Sequence, residues 1–263
     1  VVRRGWLAVP AIVAATVLAG CGSDPGTPAG AGGSSGAGGL SGTVTVFAAA
    51  SLTESFTTLG KQFEAAHPGV TVKFNFAASS ALAESIAQGA PADVFASAST
   101  KNMDSVVKSG DAADPKTFVK NAMEIAVPPA NPGGVTALAD LAKPGLKIAL
   151  CQEQVPCGTV ARQVFDHARI TVKPVTLGAD VKAVLTAVRL GEVDAGVVYK
   201  TDVQAAGTKV KGIEIPAAQN ASTTYPIATL AKAPNAATAR AFVDYVLSAD
   251  GVKVLTEAGF ASP

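Results

Sequence analysis

Histidine and cysteine are scarce in this chain: among 263 residues there are two of the first and three of the second, with a single tryptophan. A structural metal usually takes four Cys or His ligands. His67, in a polar stretch before Pro68, and His167, in a helical segment, cannot assemble such a set, which excludes a zinc-built fold. Charge is also sparse and balanced, with 21 basic against 20 acidic residues. No basic stripe is interleaved with aromatics, so the electrostatic footprint of a nucleic-acid binder is missing. No strand is followed by a Gly-x-Ser-x-Gly elbow, a phosphate loop or a dinucleotide fingerprint. Beyond the first residues, no apolar run approaches the roughly 20 residues of a membrane span.

What the first residues do contain is an export pattern. Val1-Val-Arg-Arg4 is a basic start, and Gly5 to Gly20 is apolar and uncharged, the layout of a secretory signal. It ends in Leu18-Ala-Gly-Cys21, the small-small-Cys pattern of a bacterial lipoprotein cleavage site. Residues 1–20 are therefore expected to be a lipoprotein signal peptide, and Cys21 the lipidated first residue of the mature protein. From Gly22 to Gly42 the chain is almost entirely Gly, Ser, Ala, Pro and Thr, too apolar-poor to repay its ordering entropy. Residues 21–42 are read as lipid attachment plus flexible tether, holding an extracytoplasmic body to the cell membrane. The remaining cysteines, Cys151 and Cys157, flank a short turn containing Pro156 in a compartment where disulfides persist. A bridge between them is expected.

The body alternates between strand and helix periods. Thr43 to Ala48 reads as a strand, Leu52, Phe56, Leu59 and Phe63 as one face of a helix, Val70 to Phe76 as a strand, Ser79-Ser80 as the approach to a helix, and Ala92 to Ala98 as a buried strand. A second set follows: a strand at Met123 to Val127, a short helix at Val135 to Ala142, a strand at Lys147 to Leu150, a helix at Gly158 to Ala168, an extended Val172 to Val175, a helix from Val181 with Asp180 as its cap, and a strand at Val193 to Tyr199. One more strand, Tyr225 to Leu230, precedes two terminal helices. This rhythm belongs to α/β folds with mostly parallel sheets, whose ligands bind outside the carboxyl ends of strands.

That rule points to the turns holding Ser51, Ser79, Cys157 and Val181. Each offers a helix N-terminus with unpaired N–H groups and a positive dipole end, an anion site that needs no cation. Ser51-Leu-Thr-Glu54 also fits a capping box, so Ser51 is either a helix cap or a ligand donor, and the same choice holds for Ser79. Tyr199 ends a strand, where local packing is the ordinary role. Asp93 and Asp194, each just inside a buried strand, are expected to make structural hydrogen bonds rather than act as catalytic carboxylates. A serine nucleophile would need a base within reach, and neither histidine lies at the carboxyl end of a strand.

Val44-Thr-Val-Phe-Ala-Ala-Ala-Ser-Leu-Thr53, Phe76-Ala-Ala-Ser-Ser-Ala-Leu82, Gly89-Ala-Pro-Ala-Asp-Val-Phe-Ala-Ser-Ala98 and Gly196-Val-Val-Tyr199 together closely resemble the molybdate-binding proteins of ABC-type importers, over nearly all of residues 43–260. The resemblance implies a type II periplasmic-binding-protein fold: two α/β lobes joined by two crossover strands, with the ligand in the cleft. The crossings are expected near Asn121 to Val127 and Thr223 to Leu230, giving lobe 1 residues 43–122 plus 228–263 and lobe 2 residues 123–227. It also implies a set of ligands for one tetrahedral oxyanion: the Ser51 and Ser79 hydroxyls, the backbone N–H groups of Cys157 and Val181, and the Tyr199 hydroxyl. The family's alanine in the Val-Pro-Ala-Gly turn is replaced here by Cys157, which keeps the backbone donor.

On that basis the chain is expected to capture molybdate, and tungstate with it, without cofactor or chemistry, and to deliver it as a monomer to a membrane permease. Donors without an acceptor disfavour hydrogen phosphate; sulfate is disfavoured only by size, and tungstate scarcely at all. A sulfate receptor of the same fold is the alternative. From other classes, a secreted hydrolase using Ser51 or Cys157, or a surface adhesion module, would fit the export pattern.

Overall fold

Residues 39–263 are described by the computed structural model; the expected signal peptide, the expected lipidation at Cys21 and the expected tether up to residue 38 lie outside the described residues. Strand β1 (Gly42–Ala49) alternates across a sheet, with Val44, Val46 and Ala48 entering one apolar cluster and Phe47 another. A sheet covered by helices on both faces produces that split. A short 3-10 turn, Ala50–Leu52, leads into α1 (Thr53–Ala66), which buries Phe56, Leu59 and Phe63 as their helical spacing predicts. The chain continues through β2 (Val70–Ala77), α2 (Ser79–Ala87), β3 (Val94–Ala96) and α3 (Thr100–Lys108).

Strand β4 (Lys116–Val127) carries the chain across to a second α/β arrangement. Its partner changes midway: Ala122 faces Ser222, and the next residue, Met123, faces Tyr199. There follow β5 (Ile148–Cys151), α4 (Pro156–Ala168), β6 (Thr176–Gly178), α5 (Val181–Arg189), β7 (Ala195–Tyr199), α6 (Lys200–Ala206) and β8 (Lys211–Glu214). Strand β9 (Ser222–Thr229) returns the chain, and α7 (Ala236–Leu247) and α8 (Ala249–Glu257) pack beneath the first lobe. The nine strands of the described residues run in the order β2-β1-β3-β9-β4-β7-β5-β6, with β8 beside β4. Within each lobe the outer strands are parallel, whereas every pairing of β4 and β9 is antiparallel. This is the two-lobed α/β architecture of periplasmic binding proteins.

Under the first lobe sheet, Phe56 packs on Phe74, Phe118 and Phe242, and Phe63 meets Phe242 edge to face with ring centroids 5.4 Å apart. The second lobe has one continuous core around Ile125, Ile148, Val164, Val184, Val188 and Val197.

Several local expectations change. The Ser51 capping box does not form: α1 has Leu52 at its N-cap with no side-chain cap, and the Ser51 hydroxyl bonds elsewhere. The extended stretch at Val172 to Val175 yields a strand only from Thr176, because Pro174 has no N–H for a ladder and the first bond to β5 is Val175 N–H to Ile148 O. The helix expected at Val135 to Ala142 is a 3-10 turn at Leu138–Ala142, where Asp140 accepts from the backbone of Thr136 and Ala137. Residues 39–42, read as the end of the tether, are held in place: Ser41 O accepts from Asn235 Nδ2, and Gly42 N–H bonds Gly69 O. Asp93 and Asp194 take the structural roles expected of them. Asp93 accepts from Thr45 N–H and Asn235 N–H, and Asp194 from Lys147 N–H, each at 2.7 Å.

Candidate functional site

The carboxyl ends of parallel strands from both lobes converge on one small pocket, referred to below as the cavity. Its walls are Ala49, Ala50 and Ser51 after β1, Ala77, Ala78 and Ser79 at the junction of β2 and α2, and Ala98 after β3; across from them are Pro156 and Cys157 on α4, Asp180 and Val181 at the start of α5, and Tyr199 at the end of β7. All five residues singled out from the sequence, Ser51, Ser79, Cys157, Val181 and Tyr199, therefore share this cavity. The alanines contribute only methyl groups, which keeps the backbone of three strand ends close to the pocket.

The donors differ in how they are held. Ser79 is the first residue of α2 rather than its cap, and its Oγ accepts the Ala98 N–H at 2.9 Å. With that lone pair used, its own proton remains to be donated. Ser51 Oγ lies 2.8 Å from the Tyr225 hydroxyl. Tyr199 is buried, and among the described residues its hydroxyl has no hydrogen-bond partner. Burial pushes that phenol well above its ordinary pKa, so it stays a neutral donor. A buried polar atom left unpaired is costly, and here the unpaired atom belongs to a cavity-lining residue.

In the second lobe the α4 turn is fixed from behind. Cys151 and Cys157 are joined with Sγ–Sγ 2.03 Å, tying the end of β5 to the first turn of α4. Gly158 must be glycine, since a Cβ there would sit 1.9 Å from Gln152 O. These constraints hold the N–H end of α4 against the cavity. Asp180 caps α5 by accepting Ala183 N–H at 3.0 Å. It lines the cavity too, a carboxylate that the expected all-donor set did not include; its cap bond commits one oxygen to its own helix.

Three charged groups join the lobes beside this cavity. Lys182 Nζ lies 2.7 Å from Glu54 Oε2 on α1 and 2.8 Å from the buried Asp202 Oδ1 on α6. The other Asp202 oxygen accepts Tyr199 N–H. Burial would lower the Lys182 pKa, but Asp202 and Glu54 outweigh it and hold the ammonium above its ordinary value. Burial likewise raises Asp202, opposed by Lys182. Sequence reasoning missed this triad, along with Asn121 and Tyr225, because each depends on contacts between distant segments.

The hydrolase alternative finds no support in this geometry. His67 packs on Phe63 with centroids 4.5 Å apart, His167 Nδ1 bonds Asn220 O, and neither lines the cavity, while Cys157 is in the disulfide. Among the described residues no group of three or more His, Cys, Asp or Glu side chains is placed to hold a metal ion, and no helix is long and apolar enough to cross a membrane.

Two α/β lobes on crossing strands, with a donor-lined pocket between them, have the layout of a solute-binding protein. The chain belongs to the bacterial extracellular solute-binding protein family, whose model matches residues 44–261. It is 42% identical over 253 residues to the molybdate-binding protein ModA of Mycobacterium tuberculosis, covering 96% of this chain and 95% of that protein. Among solved structures, the periplasmic molybdate-binding protein of Azotobacter vinelandii superimposes with a TM-score of 0.75 at 21% identity, over 84% of this chain and 99% of that one. The sulfate-binding protein SubI of Mycobacterium tuberculosis gives a TM-score of 0.72 at 19% identity, over 84% and 86%. These two structural likenesses establish the fold alone.

Proposed function

We propose that this protein captures molybdate, and tungstate with it, in the cavity between its lobes and delivers the anion to the permease of an ABC importer. The observation that carries the reading is the cavity itself: the hydroxyls of Ser51, Ser79 and Tyr199 and the helix-start N–H groups of Cys157 and Val181 line it together, and the buried Tyr199 hydroxyl lacks a protein partner. Hydrogen bonds from such donors to an ionised oxyanion are about twice as strong as neutral ones. The identity to a molybdate-binding relative supports the choice of anion. The fold does not separate molybdate from sulfate, because a sulfate-binding protein superimposes almost as well.

In this reading residues 43–122 with 228–263 act as one lobe against 123–227, consistent with the change of β4 partner between Ala122 and Met123. Lipidation at Cys21 keeps the monomeric receptor beside its permease. Calorimetric titration with molybdate, tungstate, sulfate and phosphate tests the ligand. Tight binding of the first two, weaker binding of sulfate and none of phosphate is expected; sulfate binding as tight as molybdate moves the assignment to a sulfate receptor.

A further inference from the structure

The two half-sites differ in what holds their donors. In the first lobe the contacts at the hydroxyls are hydrogen bonds: Ser79 Oγ accepts the Ala98 N–H, and Ser51 Oγ pairs with the Tyr225 hydroxyl, to which Asn121 Nδ2 donates at 3.4 Å. A hydroxyl proton also rotates to suit the atom it serves. In the second lobe the donors at Cys157 and Val181 are backbone N–H groups, which move only with the chain that carries them. That chain is tied covalently. Cys157 lines the cavity, and its sulfur is joined to Cys151, the last residue of β5. Cys151 is at the same time the link to the other backbone donor. Its partner in the ladder between β5 and β6 is Gly178, whose O accepts the Gln152 N–H at 2.9 Å. Gly178 in turn sits against the first turn of α5. A Cβ there would lie 2.9 Å from Val184 Cγ2, 3.0 Å from Asp180 O and 3.2 Å from Ala183 Cβ, so α5 rests on bare backbone at this point. From the Cys157 N–H the path runs through the disulfide to Cys151, across one ladder position to Gly178, and along a short stretch of chain to Val181.

We propose that Cys151 is a positioning residue for anion selectivity: its bridge to Cys157 fuses the two backbone donors of the second lobe into one rigid gauge, whose span sets the size of oxyanion that the cavity holds best. The proposal rests on the reading of the cavity as an oxyanion site. Tetrahedral oxyanions of equal charge differ in the reach of their oxygens, molybdate being larger than sulfate. Rotating hydroxyls follow either one. Two N–H groups on a rigid frame meet only one of them at full strength, because a hydrogen bond weakens as its distance and angle leave the optimum. A turn already in place also spares the anion the cost of ordering it. Other contacts brace the loop between the cysteines, Val155 N–H to Gln152 O and the Thr159 hydroxyl to Glu153 O, the second of them exposed. An exposed hydrogen bond is readily exchanged for one to water. The bridge is not, and both of its cysteines are buried. Without it the α4 turn would settle on whichever anion enters, with weaker binding and less discrimination.

Two double variants in the full chain test it. Cys151→Ala with Cys157→Ala removes the bridge and keeps every backbone donor. Cys151→Val with Cys157→Ala does the same while refilling the buried strand position, and carries the measurement if the first leaves too little folded protein. Molybdate and sulfate are titrated calorimetrically under conditions where urea titration shows each protein fully folded. The anion that wild type binds more tightly, molybdate on the present reading, is expected to weaken about tenfold and the other by less, so that the ratio between them narrows. Asp93→Ala is the control for stability alone: it removes the acceptor of the Thr45 and Asn235 N–H groups, away from the α4 turn, and keeps the wild-type ratio. Unchanged affinities, equal losses for both anions, or a ratio that narrows as much in Asp93→Ala would overturn the gauge and leave the bridge a prop of the fold. Failure of both double variants to fold would do the same. Wild-type protein that bound neither anion would overturn the oxyanion site itself, and the gauge with it.

Discussion

The two lobes solve the same problem with different chemical groups. In the first lobe, alanine-rich strand ends present side-chain hydroxyls, Ser51 and Ser79, each with an oxygen engaged by a neighbouring group. In the second, the backbone N–H ends of α4 and α5 do the work, with the Tyr199 hydroxyl the one side-chain donor. Below these surfaces the lobes share a device. Asp93 precedes β3 and Asp194 precedes β7; each carboxylate accepts an N–H from the neighbouring parallel segment, Thr45 within β1 or Lys147 just before β5, and each Asp backbone N–H returns a bond to that same residue at 2.8 Å. A common scaffold therefore positions two unlike half-sites. Side-chain donors can be tuned by their neighbours, whereas backbone donors are fixed by the turn that carries them.

The shared device is not equally important in the two lobes. Asp93 is buried and satisfies two N–H groups, at Thr45 and at Asn235 before α7; Asp194 is partly exposed and satisfies one. Losing a partner strands buried donors at about 1–3 kcal/mol each. Asp93→Ala is expected to cost about 3 kcal/mol of unfolding free energy and Asp194→Ala about 1 kcal/mol, read from urea titrations. Equal costs would mean that the Asn235 contact adds nothing and that the lobes are anchored alike.

A smaller effect separates ligand recognition from stability. The buried Tyr199 hydroxyl has no protein partner, so Tyr199→Phe is expected to leave the ligand-free protein unchanged or up to about 1 kcal/mol more stable, while weakening molybdate binding about tenfold. Ser51→Ala shares the loss of affinity without the gain in stability, because it removes a hydrogen-bond partner of the Tyr225 hydroxyl. Melting curves with and without molybdate distinguish the two. A Tyr199→Phe protein that melts lower without ligand would show that the hydroxyl serves the fold.

What was legible in the sequence follows the same division. Ser51, Ser79, Cys157, Val181 and Tyr199 all sit where a strand meets a helix, a local pattern that strand and helix periods reveal, and family motifs supplied their grouping. The disulfide was legible from two cysteines around one short turn. What was not legible depends on pairs far apart in the chain: Asn121 with Tyr225 are separated by 104 positions, and Glu54 with Lys182 by 128. Tyr225 in the middle of β9 carries no sign that its hydroxyl matters. Helix α3 escaped notice because its nine residues are mostly polar and only Met103 and Val106 are buried. The capping box at Ser51 misled for a physical reason: a 3-10 turn starts one residue earlier, and the serine is drawn to a tyrosine from the crossing strand.

The smallest expected effect concerns Glu54–Lys182, the one ion pair among the described residues that spans the lobes. Glu54 is half-exposed, and exposed pairs contribute about 0–1 kcal/mol. Lys182 nevertheless stands one residue after Val181, Glu54 three after Ser51, and Asp202 three after Tyr199, so the triad ties together the segments that carry three of the five donors. Glu54→Gln leaves Lys182 held by the buried Asp202 and breaks only the link between lobes. Molybdate is expected to leave the variant two- to threefold faster in stopped-flow displacement, with its arrival scarcely changed. The difference should fade as salt is raised and the wild-type pair is screened. A release rate that Glu54→Gln leaves unchanged at low salt would assign the joining of the lobes to the anion and the crossing strands alone, and would make the triad an affair of the second lobe.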